Sequence, residues 1–207
     1  DKVIVKKTDF FDIELGIANY KNYTITLANK IAYCLVDENS SLYQRSLAVL
    51  KHELYHFQDF QNLLLNWGLK CIPQINAEVL DDFYYWSEFF ASFSTFDVCE
   101  DESLYASFKV VFEKNCSNEK EKKYYTCRLF GYYLHENHSE RCNELITKYL
   151  SNKVLEKTVN SFKSVLQSYP KYTAEQLKNI GLVISKVIEK QEDIAIYTPI
   201  QDLRTRH

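Results

Sequence analysis

Hydrophobic positions follow two different periods along this chain, and the change falls near residue 40. Before it, β-branched and aromatic residues gather in short runs: Val3–Val5, Gly16–Tyr20, Tyr23–Ala28 and Ile31–Val36. Lys21-Asn22 and Asn29-Lys30 are polar breaks between the last three. Runs of this kind predict a small antiparallel meander with open edges. Asp37–Ser41 reads as a loop with several N-cap candidates, and beyond it the spacing becomes helical. Leu42, Leu47, Leu50, Leu54, Phe57 and Leu64 recur at helical intervals up to Gly68, a residue suited to ending a helix. A second helix is predicted beyond Pro73 through Ala77, Leu80, Tyr84, Phe89 and Phe93, and others around 102–114, 119–136 and 139–168. Pro170 interrupts the pattern, and Thr173-Ala174-Glu175-Gln176 opens a last helix running to about Gln191. The expected fold class is α+β: a small antiparallel N-terminal sheet packed on a mainly helical domain. Residues 1–100 would form the core, and 101–207 a helical extension packed on it within the same domain.

Composition narrows the function classes. A length of 207 residues suffices for one well-cored domain. With 25 Lys and Arg against 28 Asp and Glu, the net charge of −3 offers no basic footprint for nucleic acid and no polybasic stretch for a membrane. No run of roughly 18 apolar residues occurs that would span a bilayer. The six cysteines are far apart with no Cys-x-x-Cys pair, which excludes a zinc ribbon or a thioredoxin-like motif. Most sit in apolar or helical contexts, favouring reduced thiols and a cytoplasmic location. The chain has no Met and starts at Asp1, so a trimmed N-terminus is expected and secretion stays open. The 16 Tyr and 13 Phe exceed what a core with ample Leu and Ile needs.

One stretch carries chemistry: Lys51-His52-Glu53-Leu54-Tyr55-His56-Phe57-Gln58-Asp59. His52 and His56 are four apart within a predicted helix, so both imidazoles project from one face within reach of a single ion. Glu53 points about 100° away around the axis, near such an ion without binding it. There it can take a proton from an activated water and pass it to a leaving amine. The apolar neighbours Leu50, Leu54 and Phe57 suit a site aimed into a cleft.

A catalytic Zn2+ site needs a third protein ligand and an open position. Asn62 stands where a longer motif would place a third His, so the ligand must come from another element. Glu88 is the one acid in the aromatic stretch Trp86–Phe93, and Ala91 and Ser92 beside it are small enough to allow close helix approach. Asp81, seven residues earlier, is the rival as ligand or as a partner to a histidine. Asp59 is a candidate for orienting an imidazole through its second nitrogen, and reads equally as a solvated helix acid. His135 or His138 is a candidate for stabilising an oxyanion, though their polar surroundings better fit an exposed helix end.

The combination of His52-Glu53-Leu54-Tyr55-His56 with Glu88-Phe89-Phe90-Ala91 resembles the gluzincin branch of the zincin metallopeptidases. A small sheet directly before the motif is similar to the compact ImmA/IrrE-like members. The likeness covers residues 15–97 and implies a protease in which His52, His56 and Glu88 bind zinc and Glu53 is the general base. It departs from the family at Ser92-Phe93-Ser94-Thr95-Phe96, where Asn-x-Phe-Ala and Pro signals often stand, and the tail beyond about residue 100 has no counterpart. The resemblance implies a peptide or protein as substrate. Two other readings compete: a non-catalytic interaction module using the helical extension and its aromatic residues to hold a partner protein, and DNA binding, which the acidic balance disfavours.

Overall fold

The computed structural model describes residues 2–5, 16–70, 75–95, 118–135 and 140–195. Three strands open the chain: β1 (Lys2–Val5), β2 (Gly16–Asn19) and β3 (Thr24–Leu27). β2 and β3 form an antiparallel hairpin with Gly16 opposite Leu27 and Asn19 opposite Thr24. The expected wholly antiparallel meander is corrected by β1, which flanks β3 on its other side and runs parallel to it, giving the order β1-β3-β2. A parallel neighbour is reached by a crossover, not a tight turn, so the spacing of short polar breaks carries no signal for it.

Ile31–Val36 is not a strand either. Asn29–Cys34 form a short helix, α1, packed on the helix that follows. Ile31 is buried while Tyr33 is 72% exposed, whereas two residues apart in a strand would share a face. A short apolar run has no period that separates the two conformations.

The rest of the described chain is helical: α2 (Tyr43–Asn66), α3 (Ala77–Thr95), α4 (Glu119–Leu134), α5 (Glu140–Tyr149), α6 (Asn152–Ser168) and α7 (Ala174–Ala195). α2 stops before Gly68, whose φ of 62° suits a residue without a side chain. The Asn118 side chain caps α4 by accepting from the backbone N–H groups of Lys120 and Glu121. Before α7, Thr173 and Gln176 each accept from the other's backbone N–H, a reciprocal cap. The single helix expected over 139–168 is two, because Ser151 takes an extended conformation and starts α6 afresh. The helix expected around 102–114 lies outside the described residues. No described helix is long and apolar enough to cross a membrane.

One apolar cluster runs through α2, α3, α4, α6 and α7, with Phe60, Phe83, Trp86, Phe89, Phe130, Phe162 and Ile184 at its centre. A smaller one, Ile25, Leu27, Ile31 and Phe57, seats the sheet and α1 on α2. The helices beyond residue 101 therefore share their core with the motif helices. The surplus of aromatic residues goes largely into this core: Phe89 stacks on Phe162 at 4.1 Å and Phe90 on Tyr169 at 4.4 Å between ring centroids. Cys34 and Cys127 are unpaired thiols.

α3 and α4 pack backbone to backbone at Gly131. A Cβ there would lie 2.6 Å from the Phe89 carbonyl oxygen and 2.8 Å from the Ser92 Cβ. The small side chain of Ser92 thus admits α4, not α2 as its spacing from Glu88 suggested. The Phe89 oxygen is backbone, as is the Phe93 nitrogen at 2.9 Å, and a Cβ moves only with its backbone, so none of these atoms can swing away. Gly131→Ala is expected to destabilise the fold by about 1–3 kcal/mol, the usual range for overpacking. The check is the midpoint of chemical denaturation, and an unchanged midpoint would contradict the close approach.

Candidate metal and catalytic site

The site lies where α2, α3, α4 and the start of β2 converge. His52, Glu53 and His56 are all buried on one face of α2. From α3, Glu88 reaches between the imidazoles: Oε1 is 3.4 Å from His52 Nε2 and Oε2 is 3.3 Å from His56 Nε2. The two Nε2 atoms are 3.1 Å apart.

These distances bear on what the cluster can hold. Ligands bound at about 2.0–2.1 Å in a tetrahedron stand about 3.3 Å from one another. The Nε2–Nε2 separation is close to such an edge, while Glu88 offers a different oxygen to each imidazole at a similar distance. One neutral imidazole can donate its Nε2–H to the other at this distance, and with both lone pairs turned inward the same two nitrogens would ligate a shared cation. Two nitrogens and one carboxylate oxygen are also a donor set that zinc accepts with a fourth position left open. The residues present fit the ion.

Electrostatics act differently on the three donors. Burial pushes the His52 imidazole down from its ordinary value, towards the neutral form a ligand needs. Burial also works against charge on His56, but the carboxylate of Glu88 outweighs it and the net shift is upward. For Glu88, burial alone would favour the neutral acid; His52, His56 and Arg128 together hold it well below the usual carboxylate range.

His56 is fixed from behind. Its Nδ1 is 2.9 Å from the Ser87 hydroxyl, which leaves Nε2 directed at the cluster. Asp59, expected either to orient an imidazole or to be a solvated helix acid, is fully buried and accepts hydrogen bonds from Trp86 and Tyr172. Its Oδ1 accepts from the Trp86 indole N–H at 3.1 Å and the Tyr172 hydroxyl at 3.2 Å, and Ser87 lies beside its carboxyl. Trp86 and Ser87 immediately precede Glu88, so this buried floor bears on the rotation of α3 at that residue.

Glu53 faces β2. A Cβ on Gly16 would come within 2.9 Å of the Glu53 Cγ and 3.1 Å of its Oε1. The glycine gives the carboxyl its space, and β2 is one outer strand of the sheet.

The other candidates lie elsewhere. Asp81 pairs with Lys120 at 3.0 Å on the outer side of α3, both side chains half exposed. Two helical turns, about 10 Å of rise, separate it from Glu88. His135 ends α4 with its ring 5.7 Å from that of Phe93. His138 lies outside the described residues.

Three site residues had no part in the sequence reading: Gly16, Ser87 and Arg128. Arg128 carries the same signal that singled out Glu88, a lone charge in an aromatic stretch, Tyr124–Tyr133. Its Nε is 3.2 Å from Glu88 Oε1.

Comparison of the chain with protein-family models, curated proteins and solved structures finds no match.

The floor beneath the site yields a pH prediction. Burial pushes the Asp59 carboxyl from 3.8 up to about 7, despite its hydrogen bonds from Trp86 and Tyr172. The folded protein therefore keeps a proton that the unfolded chain gives up, so this residue's contribution is complete below pH 3.8 and is lost as pH rises to about 7. Asp59→Asn keeps an acceptor for Trp86 and Tyr172 without the charge. In metal-free protein, the stability of the parent relative to the variant should decline across that window and level off above it. A difference independent of pH would contradict the shifted carboxyl.

Proposed function

We propose that this chain is a zinc-dependent metallopeptidase of the zincin type, with His52, His56 and Glu88 as metal ligands and Glu53 as general base. One observation carries the reading: two histidine Nε2 atoms lie 3.1 Å apart, and an acid from the next long helix brings one carboxylate oxygen to within 3.3 to 3.4 Å of each. A structural ion pair would satisfy Glu88 with one histidine; two imidazoles sharing it edge to edge suit a common ion better.

A zinc ion bound there supplies Lewis acidity, lowering the pKa of a water to about 7 and polarising a carbonyl. The chain's own residues supply the rest. Glu53 accepts the proton of the attacking water on its carboxylate and delivers it to the departing amine nitrogen. Its burial keeps bulk water from competing for that proton. The outer strand β2 begins at Gly16, against Glu53. An extended peptide adding to that edge would pair its backbone with the strand and run past the base. Ser87 keeps the His56 ring in one orientation throughout.

A non-catalytic interaction module has less support. That reading drew on aromatic residues available for a partner, yet Trp86, Tyr132, Tyr172 and five phenylalanines are fully buried.

Purified protein is expected to carry about one zinc per chain by elemental analysis, and His52→Ala to lose it. Glu53→Gln should keep the metal while hydrolysis of casein or a quenched peptide library falls by a factor of about 10² to 10⁴. Equal turnover by Glu53→Gln and the parent would remove Glu53 from the base role, and a metal-free parent would end the assignment. Ser87→Ala should weaken zinc by about 10- to 100-fold in a chelator competition, and unchanged affinity would mean the hydroxyl does not hold His56.

A further inference from the structure

We infer that Arg128 binds a carboxylate of the substrate, making the site selective for peptides with a negative charge close to the scissile bond. The inference deepens the metallopeptidase reading and rests on it.

The first ground is charge. Among the described residues, the carboxylate that Arg128 pairs with is Glu88. That carboxylate is also the third member of the donor cluster. Once Glu88 shares its charge with a dication, the guanidinium has lost most of its counter-charge. A dication, one ligand carboxylate, the Glu53 base and one guanidinium leave a surplus of positive charge in a largely buried site, which the Asp59 carboxyl, pushed up to about 7, offsets only in part. Such an excess is costly in a low-dielectric setting, and an anionic group on the ligand relieves it.

Geometry is the second. Although Arg128 Nε is only 3.2 Å from Glu88 Oε1, its N–H is not aimed to make a directed hydrogen bond, and the atom is buried without one. The side chain as a whole is nevertheless 29% exposed, more than the 15% of Glu88. Its Nε is thus buried against Glu88 while another part of the side chain reaches solvent, with Tyr132 beside it. The Tyr125 ring lies under it, with Cζ 5.7 Å from the ring centroid, which restrains a long side chain. Backbone contact at Gly131, three residues on, fixes this turn of α4 against α3.

Chemistry is the third. A guanidinium presents parallel donors that match a carboxylate, and each charge-assisted bond is stronger than a neutral one. A structural countercharge for Glu88 alone would need no access to solvent. The carboxylate could be the free C-terminus of a short peptide or an acidic side chain next to the cleaved bond.

The test uses zinc-loaded Glu53→Gln protein, which holds peptide without cutting it, and reads binding by fluorescence anisotropy. Three dye-labelled probes share one sequence: one with an amide C-terminus, one with a free C-terminal carboxylate, and one amidated with Glu in place of an internal Gln. At least one anionic probe is expected to bind about tenfold tighter than the neutral one, and which of them does so identifies the source of the carboxylate. Adding Arg128→Gln should bring the probes within about twofold of each other at unchanged zinc stoichiometry. Arg128→Lys, which keeps the charge without the fork, should retain part of the preference. Equal binding of all three probes to the zinc-loaded protein, or a full preference surviving Arg128→Gln, would overturn the inference and leave the metallopeptidase reading standing. Failure of the parent to take up zinc would overturn both.

Discussion

A carboxylate buried in an aromatic helix must be compensated, and Glu88 is compensated from three directions. His52 and His56 approach from α2 and Arg128 from α4. An ionised acid among Trp86, Phe89 and Phe90 would otherwise cost several kcal/mol or take up a proton. The site is therefore also the point at which the three helices are held in register. What looks like a cluster of functional groups is at the same time the solution to an electrostatic problem set by the sequence of α3.

Bringing three backbones so close requires side chains to be missing where the helices and the sheet meet. Gly131 lets α4 reach α3, and Gly16 lets the sheet reach Glu53. Around these contacts, stacked rings supply rigidity: Phe89 on Phe162, Phe90 on Tyr169, and Trp86 beside Tyr172. Aromatic side chains fill volume with few rotatable bonds, so a cluster of polar donors held by them keeps its spacing.

Much of this was legible along the chain. The i, i+4 spacing of His52 and His56 is a property of the helix itself, so the motif fixed their relation before any tertiary contact was known. Glu88 stood out because an acid among aromatic residues is anomalous. What was not legible depends on long-range contact. The parallel pairing of β1 with β3 joins segments with no local pattern in common. The helical state of Ile31 to Cys34 depends on α2 lying beneath it. Asp81 and Glu88 share a helix face in sequence, and only the packing of α3 tells the outer turn from the inner one. Ser87 is an ordinary residue by type, and its role comes from the helix it faces, whereas Arg128 stood out as a lone charge and only its partner was illegible.

The hydroxyl of Tyr172 donates to Asp59 across more than half the length of the chain. A residue just ahead of the last described helix thus supports the underside of a cluster assembled from residues 52 to 88. The N-terminal hundred residues are therefore no minimal, transplantable unit. A shortened descendant ending before Tyr169 would bare the rings of Trp86 and Phe90 and strip a buried acid of its phenol donor. Evolution could vary the outer surface of those C-terminal helices freely, but it could not discard them, and any relative with the same cluster and no such tail must roof and floor it by other means.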